Sequence, residues 1–189
     1  MAYARCPELR TASNRLLISL LAADFILLGA CYPAIYQILR VAPIFGILGC
    51  KAYGFLASVA ALSEIWSLAA VSCDRARAMN SPLDTSKRIR KSQANLILTF
   101  IWGTSICFSV FPLLGWNRYV SEAYFMGCAF DSFSTSWSDR SYIIILIILA
   151  WFIPLLIICI SYISITVSYT HLRAHETLRY LVCRLLLEK

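Results

Sequence analysis

Four long apolar segments dominate the hydrophobic and polar pattern of this chain, and charged residues concentrate between them. The segments are Leu16–Leu39, Ala52–Cys73, Ser92–Asn117 and Ser141–Thr170. Each holds at most one charged residue across 22 to 30 positions. Because the hydrocarbon core of a bilayer is about 30 Å thick, a helix of about 20 apolar residues crosses it. The pattern therefore predicts an all-α, multi-pass membrane protein with four spanning helices.

Composition and charge support the same class. Hydrophobic residues make up 60% of the chain and charged residues only 14%, whereas about 25% of residues are charged in an ordinary soluble domain. With 189 residues, the chain is too short to bury four such segments inside a soluble core. The net charge of +7 lies in the loops, which disfavours nucleic-acid binding. The expected environment is a lipid bilayer.

The loop charges predict the orientation of the spans. The segment Asp74–Lys91, between the second and third spans, carries six basic residues against two acidic ones. By the positive-inside rule this loop is cytoplasmic. The amino end lies two crossings away and faces the cytoplasm as well, so Trp116–Arg140 falls outside. Residues 1–15 have no apolar central region, so no cleavable signal peptide is expected.

Cysteine positions predict one disulfide. None of the eight cysteines forms a C-x-x-C pair, so a metal site is not expected. Cys50 lies at the outer end of the second span and Cys128 lies in the outer loop, where oxidation is permitted. We expect these two to pair, which would stabilise the fold by about 2–4 kcal/mol. The other cysteines are expected to be packing residues or reduced thiols.

Two acidic side chains, Asp24 and Glu64, occupy the spans, where a charge is costly. They are either protonated and tolerated by a neighbouring helix or lie along a hydrated cavity. On the second span Tyr53, Glu64 and Arg75 recur every 11 residues, about three helical turns, with small residues such as Ala57 between them. Such a stripe serves either as a helix-packing seam or as a ligand surface, and its spacing does not choose between the two.

Short motifs along the chain resemble the rhodopsin-like G-protein-coupled receptors. They are L-R-T-A-S-N at Leu9–Asn14, L-L-A-A-D at Leu20–Asp24, Gly49-Cys50, C-D-R at Cys73–Arg75, Trp102, P-L-L-G-W at Pro112–Trp116, Cys128, Pro154 and Tyr162. The 25 residues from Cys50 to Arg75 match the family's spacing between its disulfide cysteine and its ionic-lock arginine. The resemblance covers the second to fifth helices of a seven-helix bundle.

The outer loop narrows the resemblance to the opsins, the retinal-binding light receptors, and to their invertebrate and arthropod visual type. The motif is G-W-N-R-Y-V-S-E at Gly115–Glu122, followed by Cys128. In such opsins a glutamate six residues before this cysteine is the counterion of the protonated retinal linkage, which implies that role for Glu122. Tyr53 matches the usual third-helix tyrosine. Further candidates for the retinal pocket are Ala57, Phe130 and Trp151.

The resemblance also implies a cytoplasmic site. Asp74 and Arg75 match the pair that holds the inactive state and releases the arginine toward a heterotrimeric G protein. Ala76 stands where the family usually has tyrosine, and this difference affects the expected strength of coupling to the G protein. The implied function is light-dependent signalling through retinal. Three alternatives stay open: an opsin-type retinal photoisomerase, a receptor for a diffusible ligand, and a non-functional truncated product. No motif of conventional enzyme chemistry is present, so we do not expect an enzyme.

The resemblance divides the chain into residues 1–15 as a cytoplasmic lead-in, 16–167 as a partial receptor domain and 168–189 as an atypical tail. Its spans are expected at about 16–39, 50–73, 92–115 and 141–167. It implies a fragment without the family's first, sixth and seventh helices. Opsins attach retinal to a seventh-helix lysine, and Lys51, Lys87, Lys91 and Lys189 do not match it. The tail resembles translated vector or adaptor sequence. The alternative interpretation of residues 168–189 is a short amphipathic cytoplasmic tail.

Overall fold

A computed structural model describes residues 11–40, 46–81, 84, 88–121 and 127–187. Its elements are α1 Ala12–Arg40, α2 Gly46–Asn80, α3 Lys91–Leu114, β1 Tyr119–Ser121, β2 Cys128–Phe130, α4 Trp137–Ile147 and α5 Ile153–Leu187. A π-helical turn, Ile148–Phe152, joins α4 to α5, so these two helices form one continuous rod.

The four predicted spans are confirmed as helices long and apolar enough to cross a membrane. These stretches are Ala12–Tyr32, Gly46–Asn80, Lys91–Leu114 and Trp137–Thr170. Large apolar side chains such as Phe25 and Leu96 point outward, with 78% and 74% of their surfaces exposed, as expected for side chains that face lipid. The protein is therefore a multi-pass membrane protein.

Helix α2 is longer than the expected span of about 50–73. Its 35 residues extend over about 52 Å, which exceeds the thickness of the bilayer core. The segment R-A-R-A-M at Arg75–Met79 consists of good helix formers, which explains why the helix continues past the C-D-R motif.

Helix α2 is also the centre of the bundle, because it contacts α1, α3, α5, the π-helical turn and both strands. Its buried face is rich in small residues, including Gly54, Ala60, Ser63, Ser67, Ala69 and Ser72. Small side chains allow helices to approach closely. The Ser63 and Ser72 hydroxyls donate to carbonyls of their own helix, so burial leaves neither without a partner. Ala60 lies on the predicted stripe of small residues between Tyr53 and Glu64, and it is fully buried. At this position the stripe serves as a helix-packing seam.

The π-helical turn precedes Pro154 for a steric reason. Proline has no backbone N–H, and in a regular helix its ring clashes with the carbonyl four residues earlier, here that of Ala150. The N–H of Ile153 instead donates to the carbonyl of Ile148, five residues back. This wider turn makes room for the ring. Pro154 is fully buried.

The outer segment Trp116–Arg140 contains a hairpin that the sequence does not predict. Strand β1 pairs antiparallel with β2, with Tyr119 opposite Phe130 and Ser121 opposite Cys128. Strands of three residues are too short to show a clear alternating pattern. At the other end of the chain, the backbone of α5 continues through residue 168 to Leu187. The predicted origin of the tail stays a prediction.

Candidate functional site

The predicted disulfide is confirmed, and it fixes the hairpin over the outer end of the bundle. Cys50 on α2 is bonded to Cys128 at the start of β2, with Cα atoms 5.4 Å apart. The bond joins positions separated by 78 residues, so it ties the outer segment directly to the central helix. We call the two disulfide-linked strands, Tyr119–Ser121 and Cys128–Phe130, the lid.

The side chain of Tyr119 contacts both α2 and α3 and attaches the lid to these helices. Its ring lies so close to Gly54 that a Cβ built at Gly54 would be 2.5 Å from the ring carbon Cδ1. The Tyr119 hydroxyl donates to the backbone oxygen of Ser109 at 2.8 Å and lies 3.3 Å from the Ser58 hydroxyl. Burial raises the pKa of Tyr119, so this group stays a neutral donor. The absence of a side chain at Gly54 therefore leaves the space that the Tyr119 ring occupies.

Substitution of Gly54 by alanine is expected to displace the lid. The added methyl group would overlap the ring of Tyr119, and overpacking of this kind costs about 1–3 kcal/mol. The measurement is the melting temperature of the purified protein in detergent. Gly103→Ala is the matched control, because nothing lies within 4 Å of a Cβ at this helical position and alanine favours the helix. Equal melting temperatures for the two variants would contradict the proposed contact.

An aromatic cluster centred on Tyr142 supports the lid from the side of α4. Tyr142 is completely buried, and its ring centroid lies 5.6 Å from that of Trp116 and 5.3 Å from that of Phe130. Both contacts are edge-on, the favourable geometry for aromatic rings. The Tyr142 hydroxyl donates to the backbone oxygen of Phe108 at 3.1 Å. The cluster thus connects α3, α4 and β2 through one side chain.

Asn117 joins both ends of the outer segment through hydrogen bonds. Its backbone has a positive φ of 76°, a conformation that asparagine tolerates better than most residues. Its Nδ2 donates to the backbone oxygens of Asp131 at 3.1 Å and Asp139 at 3.2 Å. Its Oδ1 accepts the N–H of Asp131 at 3.0 Å. This buried amide holds the lid against the start of α4.

An ion pair completes this connection. The guanidinium of Arg118 donates to Oδ2 of Asp131 from Nε at 2.8 Å, and Nη2 lies 2.7 Å from the same oxygen. These hydrogen bonds lower the pKa of Asp131; partial burial opposes the shift, and the N–H of Phe133 adds to it. The carboxylate therefore stays charged in moderately acidic solution.

Acid is expected to weaken this part of the structure. The folded-state pKa of Asp131 is below the ordinary value of 3.8. The stability that its charged carboxylate contributes to the folded state is therefore complete above about pH 4, and it is lost as the pH falls through the folded-state pKa. The measurement is the melting temperature between about pH 6 and about pH 3. Asp131→Asn and Arg118→Gln should each flatten the acidic part of the curve. A curve unchanged in both variants would contradict the assignment.

The structure brings one predicted pocket residue directly to the lid. The Tyr53 ring lies beneath the start of β2, where its Cε1 and hydroxyl are 3.3 Å from a Cβ built at Gly127. Ala57 follows one turn deeper on α2 and is half-buried. Trp151 is not enclosed among the described residues, because 68% of its surface is exposed. Glu122 lies outside the described residues, so its counterion role stays a prediction.

The predicted polar core forms between α1 and α2. The carboxyl groups of Asp24 and Glu64 lie close enough to interact directly. Both side chains are half-buried at the contact between the two helices. On the same helix pair, the Ser19 and Ser67 hydroxyls are 3.3 Å apart, and Trp102 on α3 donates from Nε1 to Ser19 at 2.9 Å. Trp102 thereby connects the third helix to the first two.

At the opposite end of α2 from the lid, Asp74 is buried while Arg75 is exposed. Neighbouring positions on a helix point in different directions, which separates the two side chains. Tyr162 on α5 is 60% exposed.

The sequence did not identify the link between α2 and α5 at this end. The side-chain amide of Asn80 donates to the Ser164 hydroxyl at 2.6 Å and accepts from Ser168 at 2.5 Å. The Cys73 sulfur and the Ser161 hydroxyl lie 3.6 Å apart, about two turns of α2 closer to the lid. These pairs are 84 to 88 residues apart along the chain, so no local motif marks them.

Comparison with known proteins agrees with this arrangement. Squid rhodopsin, known from a crystal structure, superposes with a TM-score of 0.83 at 28% identity, over 96% of this chain and 49% of that chain. Melanopsin from Podarcis siculus is 34% identical over 152 residues, which are 80% of this chain and 32% of that protein. The GQ-coupled rhodopsin of Mizuhopecten yessoensis is 31% identical over 170 residues, or 86% of this chain and 33% of that protein.

The chain thus spans about a third of the length of these two relatives and about half of the squid protein. The family described as 7 transmembrane receptor (rhodopsin family) matches residues 1–181. The expected resemblance to opsins is confirmed, because the relatives just named are opsins. The chain belongs to the rhodopsin family of seven-transmembrane receptors.

Proposed function

We propose that this chain forms the second to fifth helices of a light-sensing opsin, which holds retinal beneath the lid and signals to a heterotrimeric G protein. The observation that carries the proposal is the disulfide-fixed lid directly above Tyr53, in a chain whose relatives include melanopsin and rhodopsins. The family consists of receptors, so the proposed action is signalling and not enzymatic turnover.

The residues around the lid fit an elongated apolar ligand such as retinal. Tyr53 and Phe130 present aromatic surface near the lid, and the small side chain of Ala57 leaves room one turn below. Trp151 would supply the facing wall. When bound, retinal supplies the light absorption and the change of shape. The charge that balances its protonated linkage is assigned to Glu122, and the attachment lysine to a part of the receptor outside the four helices described here.

The cytoplasmic end supplies the proposed output. A ligand shifts a receptor between two states only through its different affinity for each. Movement of α5 against α2 would change the contacts of Asn80 with Ser164 and Ser168 and of Cys73 with Ser161. Arg75 is exposed beside them and is the residue proposed to contact the G protein. Ala76, which stands where the family usually has tyrosine, is buried, and the exposed arginine beside it is retained.

A chimeric receptor tests the proposal. Residues 12–170 would replace the matching part of squid rhodopsin, which supplies the remaining helices. We expect a visible absorption band after addition of retinal, and light-dependent nucleotide exchange on a heterotrimeric G protein. A band with release of altered retinal but without exchange would favour the photoisomerase. The absence of any band in a folded chimera would contradict retinal binding.

Within this chimera, Glu122→Gln is expected to lower the pH at which half of the visible band is lost, by about 1–3 pH units. The reason is that an opposite charge a few ångströms away stabilises a buried positive charge by this amount. Asp139→Asn is the control, because it removes another carboxylate from the outer segment. An unchanged titration of the Glu122 variant, or equal shifts in both variants, would contradict the counterion assignment.

A further inference from the structure

A deep apolar groove lies between α2, α3 and α5, away from the lid and the polar core. Its volume is about 610 Å³, and its walls include Trp66, Ala70, Phe100 and Ile157. A second cavity of about 320 Å³ shares Trp66 and Phe100 with it and continues along α3 to Phe108. The two cavities adjoin at these shared side chains, and we call them together the α3 groove.

The length of the α3 groove matches one leaflet of a bilayer. Leu96 and Phe108 mark its extent along α3; they are 12 residues apart, which corresponds to about 18 Å at about 1.5 Å per residue. Half of a bilayer core is about 15 Å thick. Leu96 and Phe100 on its edge are 74% and 67% exposed, so the groove opens sideways toward the surrounding hydrocarbon.

The chemistry of the groove changes from one end to the other. Its walls are almost entirely apolar, but Arg77 lines it at the end of α2 that lies 27 residues, or about 40 Å, from the Cys50 disulfide. Arg88, Arg90 and Lys91 are exposed where α3 begins, at the same end of the bundle. An apolar channel that ends in basic side chains is complementary to a lipid with a negative headgroup.

We propose that the α3 groove binds an anionic phospholipid of the cytoplasmic leaflet. One acyl chain lies along α3 past Phe100 and Trp66, and the headgroup phosphate contacts the guanidinium of Arg77. The apolar walls provide burial of the chain, and Arg77 provides preference for a negative headgroup over a neutral one. This site requires neither retinal nor a G protein, so it stands independently of the light-sensing proposal.

Trp66 provides a direct probe, because it lines both parts of the groove. The chain is placed in phosphatidylcholine nanodiscs that contain a fixed minor fraction of lipid with brominated acyl chains, carried by either phosphatidylserine or phosphatidylcholine. Bromine quenches nearby tryptophan fluorescence, and subtraction of the Trp66→Phe signal isolates Trp66 from the other tryptophans. We expect stronger quenching of Trp66 by brominated phosphatidylserine.

Charge variants locate the headgroup. Arg77→Gln should reduce the preference for phosphatidylserine about fivefold, the factor expected for one basic residue at an anionic membrane surface. Arg77→Lys should retain the preference. Arg75→Gln is the matched control, because it removes the same charge two positions away on the same helix without lining the groove, and its quenching should equal that of the unmodified chain.

Three results would overturn the proposal. Equal quenching of Trp66 by the two brominated lipids would show that the groove does not distinguish headgroups. Equal loss of preference in the Arg75 and Arg77 variants would show general attraction to the charged surface. Absence of Trp66 quenching by either lipid would show that protein, and not lipid, covers the groove.

Discussion

Tyr142→Ala is expected to destabilise the outer half of the bundle by about 3–5 kcal/mol, the range for removal of a large buried aromatic side chain. The side chain is completely buried and contacts the rings of Trp116 and Phe130. Its removal would leave a cavity among α3, α4 and the lid that the remaining rings cannot fill. The measurement is the folded yield after purification, together with the melting temperature.

Two variants separate the contributions of the Tyr142 ring and hydroxyl. Tyr142→Phe keeps the ring and loses only the hydrogen bond to the carbonyl of Phe108, so it should cost about 0.5–1.5 kcal/mol. Tyr169→Ala changes a tyrosine on α5 that is 55% exposed and should have little effect. Equal melting temperatures for Tyr142→Ala, Tyr142→Phe and Tyr169→Ala would show that the aromatic cluster around Tyr142 does not stabilise the fold.

Removal of the disulfide by Cys50→Ser is expected to cost about 2–4 kcal/mol, because a long connection would no longer be closed in the unfolded chain. The bond spans 78 residues, so the entropy released by opening it is large. The lid would then be held by Tyr119, Asn117, the Arg118–Asp131 pair and the contact of Phe130 with Tyr142. Folded yield should fall strongly, and pigment yield in the chimera should fall with it.

Cys128→Ser should reproduce the effect of Cys50→Ser, and the double variant should be no worse than either single variant, because both remove the same bond. Cys107→Ser is the control, since this exposed cysteine on α3 is free. Normal folded yield and an unchanged melting temperature in both single variants would show that the disulfide does not hold the lid in place.

The remaining hydrogen bonds explain why the lid should loosen without coming apart. Asn117 and Arg118 attach its base to Asp131, and Tyr119 attaches its first strand to α3. Loss of the disulfide frees the start of β2, which lies over Tyr53. The effect on the ligand pocket should therefore exceed the effect on the helices, and retinal uptake in the chimera should be more sensitive than helical content.

The sequence by itself determined the membrane architecture of this protein. Bilayer thickness imposes a minimum length and an apolar composition on every span, so all four helices follow from a local pattern. The Cys50–Cys128 pair follows from topology, because only these two cysteines were placed where an oxidised bond can form on the outer side. The family followed from short motifs whose residues are adjacent in the chain.

Tertiary structure alone decided which faces of the helices contact one another. Gly54 faces Tyr119, Asp24 meets Glu64, and Asn80 reaches α5 because of the rotation and relative height of packed helices. These quantities depend on side-chain interlocking between segments far apart in sequence, and periodicity within one helix does not report them. The lid hairpin and the α3 groove arise in the same way, since each is formed by surfaces that become neighbours only after the bundle has assembled.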